Sequence, residues 1–454
     1  MHYGLDFGTT NSVIAVKKEN SDRVEVIPAD PFGNDKDRIL RSLLYIRKKN
    51  QEKFVGSLAI NNYLKDSRNR KPARFKVFDT GQKATIPIPN PHGGFFYYET
   101  DITYREDINK PGQLIQALKT SLREGFNQQV NLFGEIFSLE ELIATILGEM
   151  KHTADQHLGK DIKEVILGRP VHYGNNTDDL DIQNRMEHAA ELAGFKIINF
   201  IPEPVGAAYD YLKTQTPLSD KTILVFDFGG GTLDFCLIQQ ENATVNIVAT
   251  DGLSIGGDLF NELIMFGKVS PYFGTEITFG PKSLTMPSGL KHSLRKWYEI
   301  QALKSPELRN FLVEIKHQSK NPELINNLIS LIDHDLGFEL FEAIEKAKVT
   351  LSQNKETSIS FHRHDINLEI PLTRKEFEEL IRPQIEAIEK TIKALLGNSK
   401  IDPNNINTVI CTGGTSYTPI VQRRLAALFP TSNIIYHNVF EGIAAGLARI
   451  VLEQ

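Results

Sequence analysis

The sequence predicts an α/β protein built from two similar lobes. Three observations carry that expectation. Strand-like and helix-like patterns alternate between residues 138 and 213, as α/β architectures require. An N-terminal strand–turn–strand unit, Tyr3-Gly-Leu-Asp-Phe-Gly-Thr-Thr-Asn, recurs as Leu224-Val-Phe-Asp-Phe-Gly-Gly-Gly-Thr, placing Asp6 and Asp227 221 positions apart. A third strand runs into a glycine pair and a helix at Thr412-Gly413-Gly414-Thr415. A repeat of about half the chain implies two lobes, each opening with a hairpin.

The elements follow in order. Residues 3–17 alternate, turn at GTTN and resume as a second strand. Residues 36–60 hold two further apolar runs, LLYI and FVG. Residues 66–111 are basic at first and then rich in Pro and Gly; they read as an inserted surface excursion with a small hairpin. Its Phe95, Phe96, Tyr97 and Tyr98 read either as a partner-facing patch or as a cluster packed on its own lobe, and packing statistics favour the second. Ser138 with Glu141 forms a capping box that opens a helix over 138–157. A short strand ends at Pro170, and a helix over 178–194 stops at Gly194, with Asp178, Asp179 and Asp181 at its positive end. A strand at 197–201 feeds the helix of EPVGAAYDYL. Residues 222–250 repeat the opening hairpin and add a strand. Residues 258–348 read as helical around a loop at 270–289. A hairpin precedes 374–397, which reads as one helix, and the chain closes with the small-residue helix of EGIAAGLARIVLE.

Composition narrows the function classes. The 454 residues are 41% hydrophobic and 24% charged, with a net charge of −6 and the basic residues dispersed. That balance gives no electrostatic case for a nucleic-acid or anionic-membrane partner. Cys236 and Cys411 lie in apolar strand patterns, and no CxxC occurs, so both read as buried thiols in a reducing compartment. The N-terminus reads as a first strand rather than a signal peptide, and apolar runs are short; a cytoplasmic, soluble protein is expected.

The repeated turn carries the chemistry. Glycine admits backbone conformations in which successive N–H groups converge on an anion. Gly8, Gly229, Gly230 and Gly231 let phosphate oxygens approach the main chain, and Thr9, Thr10 and Thr232 add hydroxyls. An Asp at each strand end would repel a phosphate unless a cation lay between them. Asp6 and Asp227 are therefore expected to hold hydrated Mg²⁺ between two hairpins that clamp one polyphosphate. The third glycine pair and its helix suit the nucleoside.

In order along the chain, LDFGTTNS, ILGRPVHY, IPEPVGAAYDYL, VFDFGGGTLDF, SIGGDLF, IEKAKVTLS, CTGGTSYTP and EGIAAGLA resemble the ATPase domain of the 70-kDa heat-shock chaperones, and the likeness extends to short YegD-type bacterial proteins. The resemblance implies an actin-like ATPase fold: two ribonuclease-H-like lobes, about 1–204 and 205–454, around a nucleotide cleft, with insertions near 66–111 and 258–350. It implies ATP/ADP and Mg²⁺ as cofactors and a client or co-chaperone as partner. Asp6 and Asp227 would position the metal. Gly8, Thr9, Thr10, Asn11, Gly229, Gly230, Gly231 and Thr232 would hold phosphates, and Glu203 would orient the attacking water. Pro170 would relay nucleotide state. Gly256, Gly257, Asp258, Glu345, Lys348, Ser352, Gly413, Gly414 and Thr415 would enclose adenosine. The lysine that meets the γ-phosphate is Lys119 or Lys76, with Lys119 favoured by its interval to the following helix.

Three positions depart from the family pattern: Val349 and Tyr417 stand where it has arginines, and Phe440 where it has an acid. Base recognition should differ accordingly. The family's peptide-binding β-domain would follow this point, so a conventional client site is not expected in the sequence. His152 with His157, and His362 with His364, are poor metal pairs, and Asp234 reads as a hairpin-capping acid or a monovalent-ion ligand. A small-molecule kinase of the same superfamily and a non-hydrolysing ATP-responsive scaffold or filament are the alternatives.

Overall fold

The computed structural model describes residues 1–451 except 20, 34–36, 69, 72, 91–92, 124–128, 172–178, 215–220 and 242–243. The expected role of Asp178 at a helix start therefore lies outside the described residues, while that helix runs Asp179–Leu192.

Two sheets repeat one topology. The first contains β1 (Tyr3–Phe7), β2 (Asn11–Lys17), β3 (Val24–Val26), β4 (Glu164–Arg169) and β5 (Ile197–Pro202), in spatial order β5-β4-β1-β2-β3. The second contains β6 (Lys221–Phe228), β7 (Leu233–Glu241), β8 (Thr244–Leu253), β9 (Thr408–Thr412) and β10 (Asn433–Tyr436), in order β10-β9-β6-β7-β8. In each, a three-stranded antiparallel meander continues into two parallel strands. The parallel strands β4 and β9 are buried runs, as sheets covered on both faces demand.

Each sheet has its own core. Leu5, Ile14, Val165 and Leu167 pack under helix α1 (Leu139–Leu158) through Leu142, Ile143, Ile146 and Leu147, the stripe the periodicity marks. The capping box forms: Ser138 Oγ accepts from the Glu141 N–H, and Glu141 accepts from the Ser138 N–H. Phe226, Phe228 and Phe235 anchor the second core, which extends into the helices after residue 257.

Helices α2 (Glu203–Lys213) and α5 (Gly442–Arg449) cross between the sheets. Their small residues set the spacing. A Cβ on Gly446 would lie 1.7 Å from the Gly206 carbonyl oxygen, and one on Gly4 would lie 2.3 Å from that of Ala444. Strand β1 and both helices are thus packed backbone to backbone. Ala444 and Ala448 complete the contact against Val13 and Ala15.

Two expectations change. The 374–397 helix divides into Arg374–Leu380 and Arg382–Asn398, because Pro383 lacks an N–H and can stand only in a first turn. The small hairpin of the excursion is a long ribbon, Phe75–Pro89 paired with Phe95–Asp107. Phe95, Phe96, Tyr97 and Tyr98 at its end are 58–72% exposed rather than packed on the lobe. Strand-forming alternation runs through FKVFDT and ITYRED, and it outweighs the turn signals of the Pro- and Gly-rich middle.

Candidate functional site

The two duplicated turns are built alike and meet. In the first, the Gly8 N–H donates to the Asn11 carbonyl at 3.0 Å; in the second, the Gly229 N–H donates to the Thr232 carbonyl at 3.0 Å. A Cβ on Gly230 would lie 2.2 Å from Thr10 Oγ1, and one on Gly231 would lie 2.5 Å from Thr9 Oγ1. Only glycine lets the second turn approach the threonines of the first this closely.

The turns line a cleft of about 1450 Å³ between the lobes. Of the sequence-predicted residues, Thr9, Thr10, Asn11, Gly230, Gly231, Gly257, Asp258, Glu345, Lys348, Ser352, Gly414 and Thr415 line it. Gly229, Gly256 and Gly413 sit directly behind that wall. The Gly229 carbonyl accepts from the Gly257 N–H and from Thr415 Oγ1, the latter at 2.8 Å. A Cβ on Gly256 would lie 2.0 Å from the Gly230 oxygen. Gly413 holds φ at +73°, and its N–H donates to Val439. The third glycine element is thereby fastened to the second turn.

The acids gather beneath. Lys119 Nζ and Glu203 Oε1 form an ion pair at 2.5 Å with both side chains 8% exposed. Lys119 is thus not a solvated helix lysine. Lys76 stands on the exposed ribbon beside the Phe78 ring, far along the chain from this pair in both sequence and sheet. Burial, with Glu203 nearby, raises Asp6 to about 7, and Lys119 opposes the rise. Burial, then Glu203, Asp234 and Asp6, push Asp227 well above the ordinary carboxylate range. Burial and Glu203 raise Asp234 to about 6. Four acids share one buried ammonium, and that imbalance suits a divalent cation. Among the described residues no three potential ligands stand at metal-binding spacing; Asp6 and Asp227 by themselves are the hard oxygen donors that Mg²⁺ takes when it keeps several of its waters.

Asp234 makes a bond that neither of its two expected roles includes. Its Oδ1 accepts from the Val171 N–H at 3.0 Å, directly after Pro170, and joins β7 to the end of β4 in the other lobe. Among the described residues no hydrogen bond of ordinary geometry reaches its buried Oδ2.

Elsewhere on the cleft wall, Glu345, Lys348 and Ser352 project from helix α4 (Gly337–Gln353). Lys348 Nζ donates to Glu345 at 2.6 Å and to the Gly257 carbonyl at 3.0 Å. Burial alone would raise Glu345, but Lys348 and Asn261 outweigh it and hold its pKa below the ordinary value. Thr10 Oγ1 donates to Asp258 at 3.1 Å, tying the first turn to helix α3 (Gly257–Ile264). The three departing positions, Val349, Tyr417 and Phe440, all face the cleft. Tyr417 lies on the Tyr436 ring at 5.3 Å and 16°.

Asn261, Arg41 and Glu342 are among the cleft residues that sequence reasoning missed. Asn261 donates to Glu345 at 2.6 Å; it lies four residues after Gly257 on α3, a helical spacing that could have revealed it. Arg41 pairs with Glu342 of α4 at 2.8 Å across the cleft, and nothing in its local pattern marks it. The histidines have these partners: His152 bonds Gln156, His157 bonds Glu25, His362 bonds Glu369, and His364 stacks on His334. Both cysteines are buried and free. Among the described residues, no helix is long and apolar enough to cross a membrane.

Comparison with known proteins agrees with this geometry. The family model described as Hsp70 protein matches residues 106–272 and 328–451. The chain is 25% identical over 452 residues to the chaperone protein DnaK of Thermosipho africanus, covering 98% of this chain and 58% of the relative. It is 26% identical over 454 residues to DnaK of Deinococcus proteolyticus, with the same coverage. DnaK of Metamycoplasma hominis is 26% identical over 309 residues, covering 66% of this chain and 43% of the relative. The chain thus spans 58% of the length of the first two relatives. The duplicated sheets, the facing glycine turns and the family match together place the chain in the Hsp70 family, with the actin-like α/β ATPase fold of its nucleotide-binding domain.

Proposed function

We propose that the protein binds Mg²⁺–ATP in the interlobe cleft and hydrolyses it to ADP and phosphate, as a YegD-type chaperone-like ATPase. One observation carries the reading: two turns of identical construction face each other above a buried cluster of carboxylates. A polyphosphate between them would take N–H donors from both lobes and hydroxyls from Thr9, Thr10 and Thr232.

Catalysis of phosphoryl transfer to water is positioning and charge stabilisation. Asp6 and Asp227 would hold the magnesium ion, which when bound screens phosphate charge. Glu203 would orient the attacking water and accept its proton at a carboxylate oxygen. Lys119 has three N–H donors; one is spent on Glu203, which leaves others for a γ-phosphate oxygen. Gly256, Gly257, Glu345, Lys348, Ser352 and Gly413 to Thr415 would enclose the nucleoside.

The division into lobes 1–204 and 205–454, with insertions near 66–111 and 258–350, belongs to the same proposal. The close-packed α2–α5 crossing supports a hinge between them. ATP would close the lobes, hydrolysis would release them, and a client or co-chaperone would read the difference. The two buried free thiols support a reducing, cytoplasmic setting.

The test is phosphate release from ATP with Mg²⁺ by the pure protein, alone and with candidate acceptors. Single-turnover release to water is expected; ATP bound without release, or transfer to an acceptor instead, overturns the reading. Calorimetry of Asp227→Ala should show loss of the Mg²⁺-dependent part of ATP binding; unchanged affinity contradicts the metal role.

A further inference from the structure

The ribbon of Phe75–Pro89 and Phe95–Asp107 belongs to neither lobe sheet, and its two strands form a two-stranded sheet of their own. An isolated pair of strands is marginal in water. This one is held at its base, where Arg105 reaches both carboxylate oxygens of Glu307 at 2.7 Å and Phe78 stacks on Tyr104 at 5.4 Å. Beyond that base it stands in solvent.

Its two edges differ. Pro87 and Pro89 lie on the first strand and remove N–H donors near the tip, and the register shifts between Asp79 and Lys83. The second strand, FFYYETDITYRED, contains no proline. That edge can accept another strand.

The two faces also differ. Side chains alternate along a strand, so Phe96, Tyr98, Ile102 and Tyr104 share one face. The register adds Ile88 opposite Phe96 and Ile86 opposite Tyr98 on the same side. All six are exposed. The opposite face carries Phe95 and Tyr97 toward the tip and Glu99 and Asp101 in its middle, where Lys83 stands across the ladder from Asp101 and 3.9 Å from Glu99.

We propose that the Phe95–Asp107 edge binds an extended polypeptide segment as an added strand, one that alternates apolar with basic side chains. The main chain would supply affinity, the aromatic face would cover the apolar set, and Glu99 and Asp101 would pair the basic set. A second copy of the chain fits poorly. Antiparallel pairing about Thr100 sets Glu99 against the partner copy's Asp101, and in-register parallel pairing sets each acid against itself. This inference does not depend on the ATPase reading.

The test is fluorescence anisotropy of the full chain with two labelled nonapeptides, one alternating valine and lysine, the other valine and glutamate. The lysine peptide should bind at least tenfold more tightly. Glu99→Lys with Asp101→Lys should reverse the order, a gain of binding that a misfolded variant would not give. Phe96→Ser with Tyr98→Ser should weaken the lysine peptide at least tenfold. Absence of binding to the wild-type chain, an unchanged order in the charge-reversed variant, or undiminished binding after the serine substitutions overturns the proposal. So does a dimer in sedimentation that the serine substitutions abolish while peptide binding persists.

Discussion

Lys119→Met separates a buried catalytic pair from an ordinary packed lysine. Lys119 and Glu203 are 2.5 Å apart and almost wholly buried, and Glu203 already raises the pKa of Asp6, Asp227 and Asp234. Removing the ammonium takes away the cation that pairs with Glu203 and leaves four acids together. Breaking a buried pair from one side costs about 3–5 kcal/mol. The unfolding entropy of a chain this long is roughly 1 kcal/mol per degree, so Tm should fall by about 3–5 °C if the chain unfolds as one unit. Glu203→Gln should cost less, about 1 kcal/mol, because Lys119 still faces Asp6 and Asp227. Lys119→Met with Glu203→Gln should recover most of the single-lysine loss. The assay is thermal and urea unfolding of all four proteins at pH 7.5 without nucleotide. Equal losses for the two single variants, or additive losses in the double, would refute the asymmetric-cluster argument. In turnover, Lys119→Met should lose about 10²–10³-fold in kcat.

Three further outcomes are expected. Gly446→Val places methyl groups where even a Cβ lies 1.7 Å from the Gly206 oxygen; a loss of at least ~3 kcal/mol, read as urea midpoint, and loss of ATP binding should follow. Burial raises Asp258 to about 6, so its protonated form stabilises the fold below about pH 4, and that contribution disappears as pH rises through 6. Asp258→Asn should therefore flatten the fall in unfolding free energy between pH 4 and 6, and an unchanged slope in urea titrations would contradict the assignment. Tyr417→Ala removes a ring fixed on Tyr436 beside the glycine pair; ATP affinity should drop about 2–10-fold while tripolyphosphate affinity holds, as measured by calorimetry.

Much of this protein was legible in its residues. The repeat of Asp-Phe-Gly fixed two hairpins of equal construction, because the requirement for glycine at a tight turn and for apolar strands on either side is local. The capping box at Ser138 and the buried stripe of α1 are likewise local, and the helix forms where they place it. The small residues of EGIAAGLA announced close packing, although not against what.

Only the tertiary structure decided what meets across the lobes. Lys119 and Glu203 are 84 residues apart, Thr10 and Asp258 are 248 apart, and Arg41 and Glu342 are 301 apart; no spacing rule links them. The same holds for Asp234, whose bond to the Val171 N–H exists only because two sheets face each other. The exposure of the Phe95 to Tyr98 cluster was misjudged for the converse reason. Whether aromatic side chains are covered depends on what the rest of the chain brings over them, and here it brings nothing among the described residues beyond the ribbon's own base. Local chemistry writes turns, caps and stripes into sequence, whereas the charge balance of a cleft comes from distant segments that meet only in the fold.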